Sequence, residues 1–524
     1  MLDHSEIASL DWSAKRILPA FQTPKHLDIY DIRGASTDIQ LSIATMAGLI
    51  NRPQPQVFLM ISDDDTFWLK EAFASIPQDV SPFTNDAVLE ALLISYRSSA
   101  QGAIIYDPNC IDSVNVATTL AGQRAGIVLS PEQALDLQGP YKLPLLADLR
   151  TYKWRNRLAA YQWAYHNLLN NASAHLVAGL DPRGPHGLRA FLVATGTFVY
   201  WLDPRNTVPD PARGSISEQS LMRDIFSALP TGTAHLGWFI DEASGVALTS
   251  ETAKLVLASD FFTDLEVWTS VQPTVSIAPQ ISERPITPTT APKVYVSFTM
   301  SEGDNLQYNQ HRLLHLWQDR ARGSLPIGWT TSPVLLQGAP AMAAYYARTA
   351  TPNDELLAGP SGAGYMFPSR WPAEDLPDFL QRTGQLMQTM HLNVLEVLDS
   401  AGTHSGSGMA FPDPALQQRF VQALLPFGLR GILSGAGQSR PSSTVSAGVP
   451  VFHNLGLIDN VSKAVTLLRN AASASRQRPL FLNCYVLAWK MTPTDLTKVM
   501  HQLGSKFEAV TPGTLLGMLS QSRR

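Results

Sequence analysis

The C-terminal half of this chain repeats one pattern, in which an apolar run typical of a strand is followed by an amphipathic run typical of a helix. The strand candidates are residues 293–300, 327–330, 355–359, 392–398, 431–434, 450–454, 480–486 and 507–510. The helix candidates are residues 307–319, 339–348, 374–390, 415–424, 460–471, 494–503 and 514–519. Eight βα units of about 30 residues predict a (β/α)8-like barrel of the TIM type. A seven-stranded barrel is the main alternative, because the second strand is short and residues 442–444 are predicted to be a loop.

Two further α/β segments precede this barrel. Strands predicted at 27–32, 57–61, 103–106 and 125–129, with helices around 40–50 and 114–123, indicate a βαβ-rich domain over residues 25–145. A long helix predicted at 152–170 and a strand ending at Asp241 and Glu242 indicate a second α/β domain over residues 146–284. Five prolines between residues 273 and 292 predict an extended linker, so the third domain is placed at residues 285–524.

The composition excludes several classes of protein. Hydrophobic residues make up 45% and charged residues 16%, which argues against a disordered chain. With a net charge of −5 and no long basic run, nucleic acid is not an expected partner. We expect no membrane span, because no apolar stretch reaches about 18 residues, and no cofactor, because nucleotide-binding glycine motifs are missing. The N-terminus shows no export signal, which predicts a cytoplasmic protein as read, or a secreted one if the start has been trimmed. Oligomeric state is left open.

Polar residues directly follow the first predicted barrel strand, at the barrel end where active sites of this fold lie. Residues 301–305 read Ser-Glu-Gly-Asp-Asn, so Glu302, Asp304 and Asn305 are candidates for binding a sugar or a cation. The structural alternative is that Asp304 or Asn305 caps the helix that follows.

The loop after the third predicted strand is rich in glycine and aromatic residues. Gly362 and Gly364 permit close approach of the backbone, and Tyr365, Phe367 and Trp371 offer flat faces on which a pyranose ring can stack. An ordinary turn is the alternative interpretation of such a loop.

If these residues act on the glycosidic bond of a sugar, a second carboxyl group is generally needed. Glu396 lies within the apolar fourth strand and Asp399 lies at its end, whereas Glu242 would come from the preceding domain across a cleft between domains. Ion pairing or helix capping is the structural alternative for the first two. His404, His453 and Trp489 follow or end later strands and are predicted to support substrate binding.

Two of these segments resemble one known family. Residues 362–368, Gly-Ala-Gly-Tyr-Met-Phe-Pro, resemble the signature of the GxGYxYP putative glycoside hydrolases, and residues 301–305 resemble the acidic segment of that family. Trp329 lies between the two motifs and is included among the candidate binding residues. Phe367 replaces the usual tyrosine and Glu302 the usual aspartate. The resemblance implies hydrolysis of an oligo- or polysaccharide. Such hydrolysis generally uses paired carboxylates, of which Asp304 after the first strand is the first choice, and no metal is expected.

Two other functions remain open at this point. In a metal-dependent carbohydrate deacetylase, Asp304, His404 and His453 would hold a divalent cation. In a catalytically inert glycan-binding protein, the aromatic loop would bind the sugar without turnover.

Overall fold

The structure, a computed structural model, describes residues 10–13, 16–52, 54–210, 216–273, 277, 291–302, 306–399, 411, 413–438 and 442–522. It divides into two compact units, Met1–Pro273 with Gln337–Ala341 and Thr274–Leu336 with Met342–Arg524. The division into three domains at residues 145 and 284 remains a prediction. Most of the proline-rich stretch from 273 to 292 lies outside the described residues.

The N-terminal unit is built from parallel strands. Its described strands are β1 (Leu27–Asp31), β2 (Val57–Met60), β3 (Gln78–Thr84), β4 (Gly102–Ile105), β5 (Gly126–Leu129), β6 (Leu145–Asp148), β7 (Leu176–Gly179), β8 (Phe198–Tyr200), β9 (Ala234–Gly237) and β10 (Leu255–Ala258). They form three sheets with the orders β2-β1-β3, β5-β4-β6 and β10-β9-β7-β8. All pairings in these sheets are parallel, which confirms the predicted βα units.

Helices connect these strands. They are Thr37–Ile50, Asp63–Glu71, Ala87–Tyr96, Ser113–Arg124, Pro131–Leu137, Arg157–Leu168, Arg189–Thr195, Glu218–Ser227, Glu242–Glu251 and Leu265–Trp268. The helix predicted at 152–170 begins only at Arg157. Asn156 caps it, because its side chain accepts a hydrogen bond from the Ala159 amide at 3.0 Å and its own backbone is extended.

The C-terminal unit contains the predicted barrel. Its described strands are β11 (Val294–Ser301), β12 (Ile327–Thr331), β13 (Asp354–Ala358), β14 (Val394–Val397), β15 (Gly431–Gln438), β16 (Ser442–Ser446), β17 (Val449–Ile458), β18 (Leu480–Leu487) and β19 (Phe507–Ala509). Within the part of the chain described, seven parallel strands close in the order β11-β12-β13-β14-β15-β17-β18 and return to β11. This confirms a (β/α)8-like architecture in its seven-stranded form.

The eighth predicted strand exists but does not enlarge the barrel. β19 pairs with Val294 to Val296 of β11, whereas β12 pairs with Thr299 and Met300 farther along the same strand. Because β19 and β12 use successive stretches of β11, the barrel closes directly between β11 and β12.

One predicted loop is a strand. Residues 442–446 form β16, which pairs antiparallel with β17. Ala447 and Gly448 both have positive φ, at 47° and 81°, and make the tight turn between the two strands. The run Ser-Ser-Thr lacks apolar alternation, so backbone pairing rather than burial defines this strand and the sequence pattern does not reveal it.

Nine described helices follow residue 300. They are Leu306–Gln310, Arg312–Trp317, Leu335–Gly338, Pro340–Thr349, Leu376–Thr389, Pro414–Leu424, Val461–Ala474, Pro493–Leu503 and Pro512–Ser522. Among the described residues, no helix combines the length and the apolar character that crossing a bilayer requires.

The core of the barrel determines which strand residues point inward. Its amino end is filled by an apolar cluster to which the helix Pro512–Ser522 contributes three leucines: Tyr295, Leu357, Val394, Leu433, Phe452, Phe481, Leu515, Leu516 and Leu519. Side chains alternate between the two faces of a strand. Since Tyr295 and Val394 face inward, Ser297, Thr299, Ser301 and Glu396 face inward as well, progressively nearer the carboxyl end.

Candidate active site

The carboxyl end of β11 lies beside the middle of β14 in the barrel interior. Ser301 is the last residue of β11, and its hydroxyl donates to Glu396 Oε2 at 2.5 Å. Both residues are fully buried. Two strands that are far apart in sequence therefore bring a hydroxyl and a carboxyl together at the end of the barrel where active sites of this fold lie.

The environment of Glu396 favours its protonated form. Burial raises the pKa of Glu396 to about 8, against the opposing effect of the Ser301 hydrogen bond, and the negative charge of Glu302 raises it further. Among the described residues, Glu396 Oε1 has no hydrogen-bond partner. Glu396 is thus a carboxylic acid that keeps its proton at neutral pH, as a group poised to donate it requires.

Glu302 is the second carboxyl group of this site and is only half-buried. Its backbone amide donates to Thr330 Oγ1 at 3.1 Å, and the Thr330 hydroxyl donates to the Met300 carbonyl at 3.0 Å. Burial raises the pKa of Tyr308 above its ordinary range, and the charge of Glu302 adds to this shift. Glu302 therefore acts electrostatically on both Glu396 and Tyr308.

An exposed indole stands next to Tyr308. The rings of Tyr308 and Trp489 meet edge to face, with centroids 5.9 Å apart, and Trp489 is 44% exposed. Arg312 Nε donates to the Ala488 carbonyl at 2.9 Å and so ties the Trp489 segment to the helix Arg312–Trp317. Trp489 thus offers an accessible aromatic face, of the kind on which sugars stack, beside the tyrosine on which the Glu302 charge acts.

The glycine-rich loop after β13 is packed into the protein. Tyr365 and Phe367 are both 1% exposed and meet edge to face at 5.6 Å. Trp371 packs against Phe379, with centroids 5.0 Å apart. Gly362 lies so close to the helix Leu376–Thr389 that a Cβ there would come within 2.7 Å of a threonine hydroxyl. Gly364 belongs to the same buried stretch.

Asp399 follows the carboxyl end of β14, whereas His453 lies in the middle of β17, which β15 separates from β14. The prediction that His453 ends its strand is wrong, because β17 continues to Ile458. Asp399 Oδ1 accepts hydrogen bonds from the Ser369 amide at 3.2 Å and from its hydroxyl at 2.7 Å, which anchors the turn Pro368–Arg370. His453 Nδ1 lies 3.2 Å from Ser434 Oγ, and burial lowers the pKa of His453.

Other predicted site residues are placed elsewhere. Trp329 is on the outer face of β12, where its indole donates to Asp354 Oδ1 at 2.9 Å and packs against Trp317. Glu242 is the first residue of the helix Glu242–Glu251 in the N-terminal unit and is exposed. Asp304, Asn305 and His404 lie outside the described residues.

Sequence reasoning missed the inward-facing hydroxyl and amide groups of the barrel. Asn483 Oδ1 accepts from Ser297 at 2.5 Å and from Thr299 at 3.2 Å, and Asn483 Nδ2 donates to Asn454 Oδ1 at 2.7 Å. The signal was available, because Ser297, Thr299 and Ser301 alternate with apolar residues along β11. Such alternation indicates a polar interior above the apolar layer.

The comparisons with known proteins agree with this architecture. Sequence profiles of the first, second and third N-terminal GxGYxYP domains match residues 26–96, 100–172 and 174–270. The profile described as "GxGYxYP putative glycoside hydrolase C-terminal domain" matches residues 292–520. The chain belongs to the GxGYxYP family. Its membership places it among proteins described as putative glycoside hydrolases, and its barrel coincides with the domain that carries this description.

Solved structures add a likeness of fold. The crystal structure of a putative hydrolase from Bacteroides thetaiotaomicron VPI-5482 matches with a TM-score of 0.80 and 22% identity, over 96% of each chain. A putative polysaccharide deacetylase from Mycobacterium smegmatis matches 48% of this chain and 96% of its own, with a TM-score of 0.33 and 12% identity, which is too low to support an argument. No curated protein matches this GxGYxYP chain.

One group of described residues has the composition of a metal site. His26, Asp28 and Asp79 in the N-terminal unit place three ligand atoms within 4.8 Å of one another. His26 Nε2 lies 3.2 Å from Asp28 Oδ1 and 3.3 Å from Asp79 Oδ2, as in an ordinary surface ion pair. Of Asp304, His404 and His453, the three ligands predicted for a metal in the barrel, only His453 lies within the described residues. The deacetylase hypothesis is therefore still an alternative.

Proposed function

We propose that this GxGYxYP protein is a glycosidase that hydrolyses an oligo- or polysaccharide at the carboxyl end of its barrel. The observation that carries the proposal is the pair formed by Glu396, buried and protonated, and Glu302, whose charge acts on it. Two carboxyl groups in different environments, one fully buried and one half-buried, are the arrangement that glycoside hydrolysis uses.

The roles follow from the two environments. Glu396 donates its proton to the leaving glycosidic oxygen as the bond to the anomeric carbon breaks. Glu302 is less buried, and its carboxyl group stabilises the positive charge that develops on the sugar, as nucleophile or as the base that activates water. Water supplies the hydroxyl of the new reducing end. Trp489 binds a sugar ring beside the reacting one, and Asp304, Asp399 and Glu242 remain proposed alternatives for the second acid.

The test is a screen of aryl glycosides and oligosaccharides with matched variants. Glu396→Gln should reduce kcat by about 10²–10⁴-fold, the usual contribution of a general acid. The control is Glu355→Gln, which alters a partly buried glutamate at the amino end of the barrel, where Glu355 accepts from the Gly513 amide at 2.8 Å. Glu355→Gln should retain activity wherever it folds. Activity of the wild-type protein should fall as the pH rises through about 8, because Glu396 then loses its proton.

Three outcomes would refute the proposal. Full activity of Glu396→Gln would remove Glu396 from the reaction. Binding of glycans without release of reducing ends would indicate a glycan-binding protein. Release of acetate from acetylated glycans, abolished by chelators and accompanied by stoichiometric metal in the purified protein, would indicate a deacetylase.

A further inference from the structure

Glu396 is held from two sides by segments that are distant in sequence. Ser301 from β11 donates to its carboxyl group at 2.5 Å. The loop after β13 contacts the backbone from which Glu396 projects, because the Ser361 amide donates to the Glu396 carbonyl at 2.8 Å.

The loop contacts the chain at Glu396 and again two residues after it. The Ser361 hydroxyl donates to the Leu398 carbonyl at 3.0 Å, two residues after the Glu396 carbonyl that its amide contacts. Gly359 lies directly against Glu396, and a Cβ at this position would come within 2.8 Å of Glu396 Cβ. Since Cβ atoms do not approach that closely, an alanine here would have to displace Glu396.

The rest of the loop is fastened to the body of the barrel. The Ala363 amide donates to Thr383 Oγ1 at 3.0 Å on the helix Leu376–Thr389. Tyr365 and Phe367 are buried against each other, so their faces are covered in the folded chain. A loop anchored in this way can fix the position of the strand residues that it contacts.

We infer that Ser301 is a positioning residue that aims the Glu396 carboxyl group. We infer also that the loop after β13 supports the same glutamate through Gly359 and Ser361, which come directly before the signature residues 362–368. In this assignment the loop that carries the signature motif supports Glu396, the proposed proton donor, and does not form a surface for substrate. The role of these contacts in catalysis rests on the proposed glycosidase function. The coupling between Ser301 and Glu396, which is the effect of the Ser301 hydrogen bond on the Glu396 pKa, does not.

The coupling has a measurable consequence. A hydroxyl that donates to a carboxyl group favours its ionised form, so removing that donor raises the carboxyl pKa. Glu302 is the described charged group that acts on Glu396, and it remains in place when Ser301 is changed. A hydrogen bond to a charged group accounts for a shift of about one pKa unit, or a tenfold change in proton affinity.

The first experiment compares Ser301→Ala with Ser297→Ala. Both serines are buried on the inner face of β11, but Ser297 donates to Asn483 instead of Glu396. Titration of protein labelled with ¹³C at glutamate Cδ, with Glu396→Gln to assign the resonance, gives the Glu396 pKa without any substrate. Ser301→Ala should move this pKa upward by about one unit, and Ser297→Ala should leave it unchanged. Equal titration in the wild-type protein and in Ser301→Ala would overturn the inference, whether or not glycans are cleaved.

The second experiment compares Gly359→Ala with Gly456→Ala, whose new Cβ would meet open space on β17. If the loop supports Glu396, Gly359→Ala should lower kcat at least tenfold and leave KM within twofold, while Gly456→Ala changes neither. A raised KM with unchanged kcat would show that the loop contacts substrate and would overturn the supporting role. If no glycan is cleaved by any variant, a displaced Glu396 resonance in Gly359→Ala still tests the contact, and only the proposed function fails.

Discussion

The N-terminal unit contains two buried acids whose protonation should make its stability depend on pH. Asp264 and Glu266 are both fully buried. Asp264 Oδ1 accepts from the Leu59 amide at 3.0 Å, and Glu266 Oε1 accepts from Asn51 Nδ2 at 2.9 Å. In the part of the chain described, the second oxygen of each carboxyl group has no hydrogen-bond partner. The perturbation we consider is Glu266→Gln, which preserves the shape and the bond to Asn51 but removes the titration.

The expected change in the free energy of unfolding follows from the shift in the pKa of Glu266. Burial raises the pKa of Glu266 from 4.5 to about 7, a difference worth about 3 kcal/mol at roughly 1.4 kcal/mol per unit. Burial also raises the pKa of Asp264, and the neighbouring Glu266 charge adds to it. Because the folded-state pKa of Glu266 is above the unfolded value, its contribution to stability is complete below about pH 4.5 and is lost as the pH rises through about 7.

The assay is urea unfolding of the wild-type protein and Glu266→Gln between pH 5 and 8.5. Hydrogen exchange of the segment containing β10 and the helix Leu265–Trp268 assigns the change to the N-terminal unit. The free energy of unfolding of the variant should exceed that of the wild-type protein by up to about 3 kcal/mol more at pH 8.5 than at pH 5. The exposed Glu132 provides the control, since Glu132→Gln removes a surface carboxyl group of the same unit. Parallel pH curves for wild type and Glu266→Gln would refute the reasoning.

Three further predictions concern the barrel. Trp489→Ala should raise KM for an oligosaccharide about fivefold and change kcat little, because it removes a stacking face worth about 1 kcal/mol and no acid; an unchanged KM would contradict this role. Glu355→Gln should raise the free energy of unfolding of the C-terminal unit at neutral pH, because burial raises the pKa of Glu355 and the glutamine oxygen still accepts from the Gly513 amide without a buried charge; a less stable variant in chemical unfolding would contradict this. Trp329→Phe should destabilise the protein by about 1–2 kcal/mol through loss of the bond to Asp354, with KM unchanged; a raised KM would return Trp329 to the binding site.

The barrel was predictable because each of its strands is an apolar run bounded by turn residues, and burial imposes that composition. The choice between eight and seven strands was not predictable, because β12 and β19 both pair with β11 and only the register shows that they use different stretches of it. The strand β16 was not predictable either, because its sequence lacks an apolar run. Its pairing is formed by backbone groups, which every residue except proline carries.

The candidate site was predictable where a charged residue lies within an otherwise apolar strand. Glu396 is an acid inside an apolar strand, and such a residue needs a partner, a proton or a function. The environment of Trp329 could not be read in this way, because an aromatic residue suits both faces of a strand and a one-residue change of register exchanges them. Ser361 gave no signal either, since its importance lies in a backbone amide and in the strand that the loop happens to contact.

A raised pKa alone does not single out Glu396, because burial raises the pKa of Glu266 and Glu355 as well. The three differ in where the chain places them and in what holds them. Glu355 lies at the amino end of the barrel and accepts from the Gly513 amide at the start of the helix that fills that end. Glu266 is enclosed in the N-terminal unit beside Asp264. Glu396 is the one of the three at the carboxyl end of a barrel, with a second carboxyl group and an accessible aromatic ring in the same neighbourhood. If the reasoning is sound, neutral amides at 266 and 355 change stability, whereas a neutral amide at 396 changes turnover.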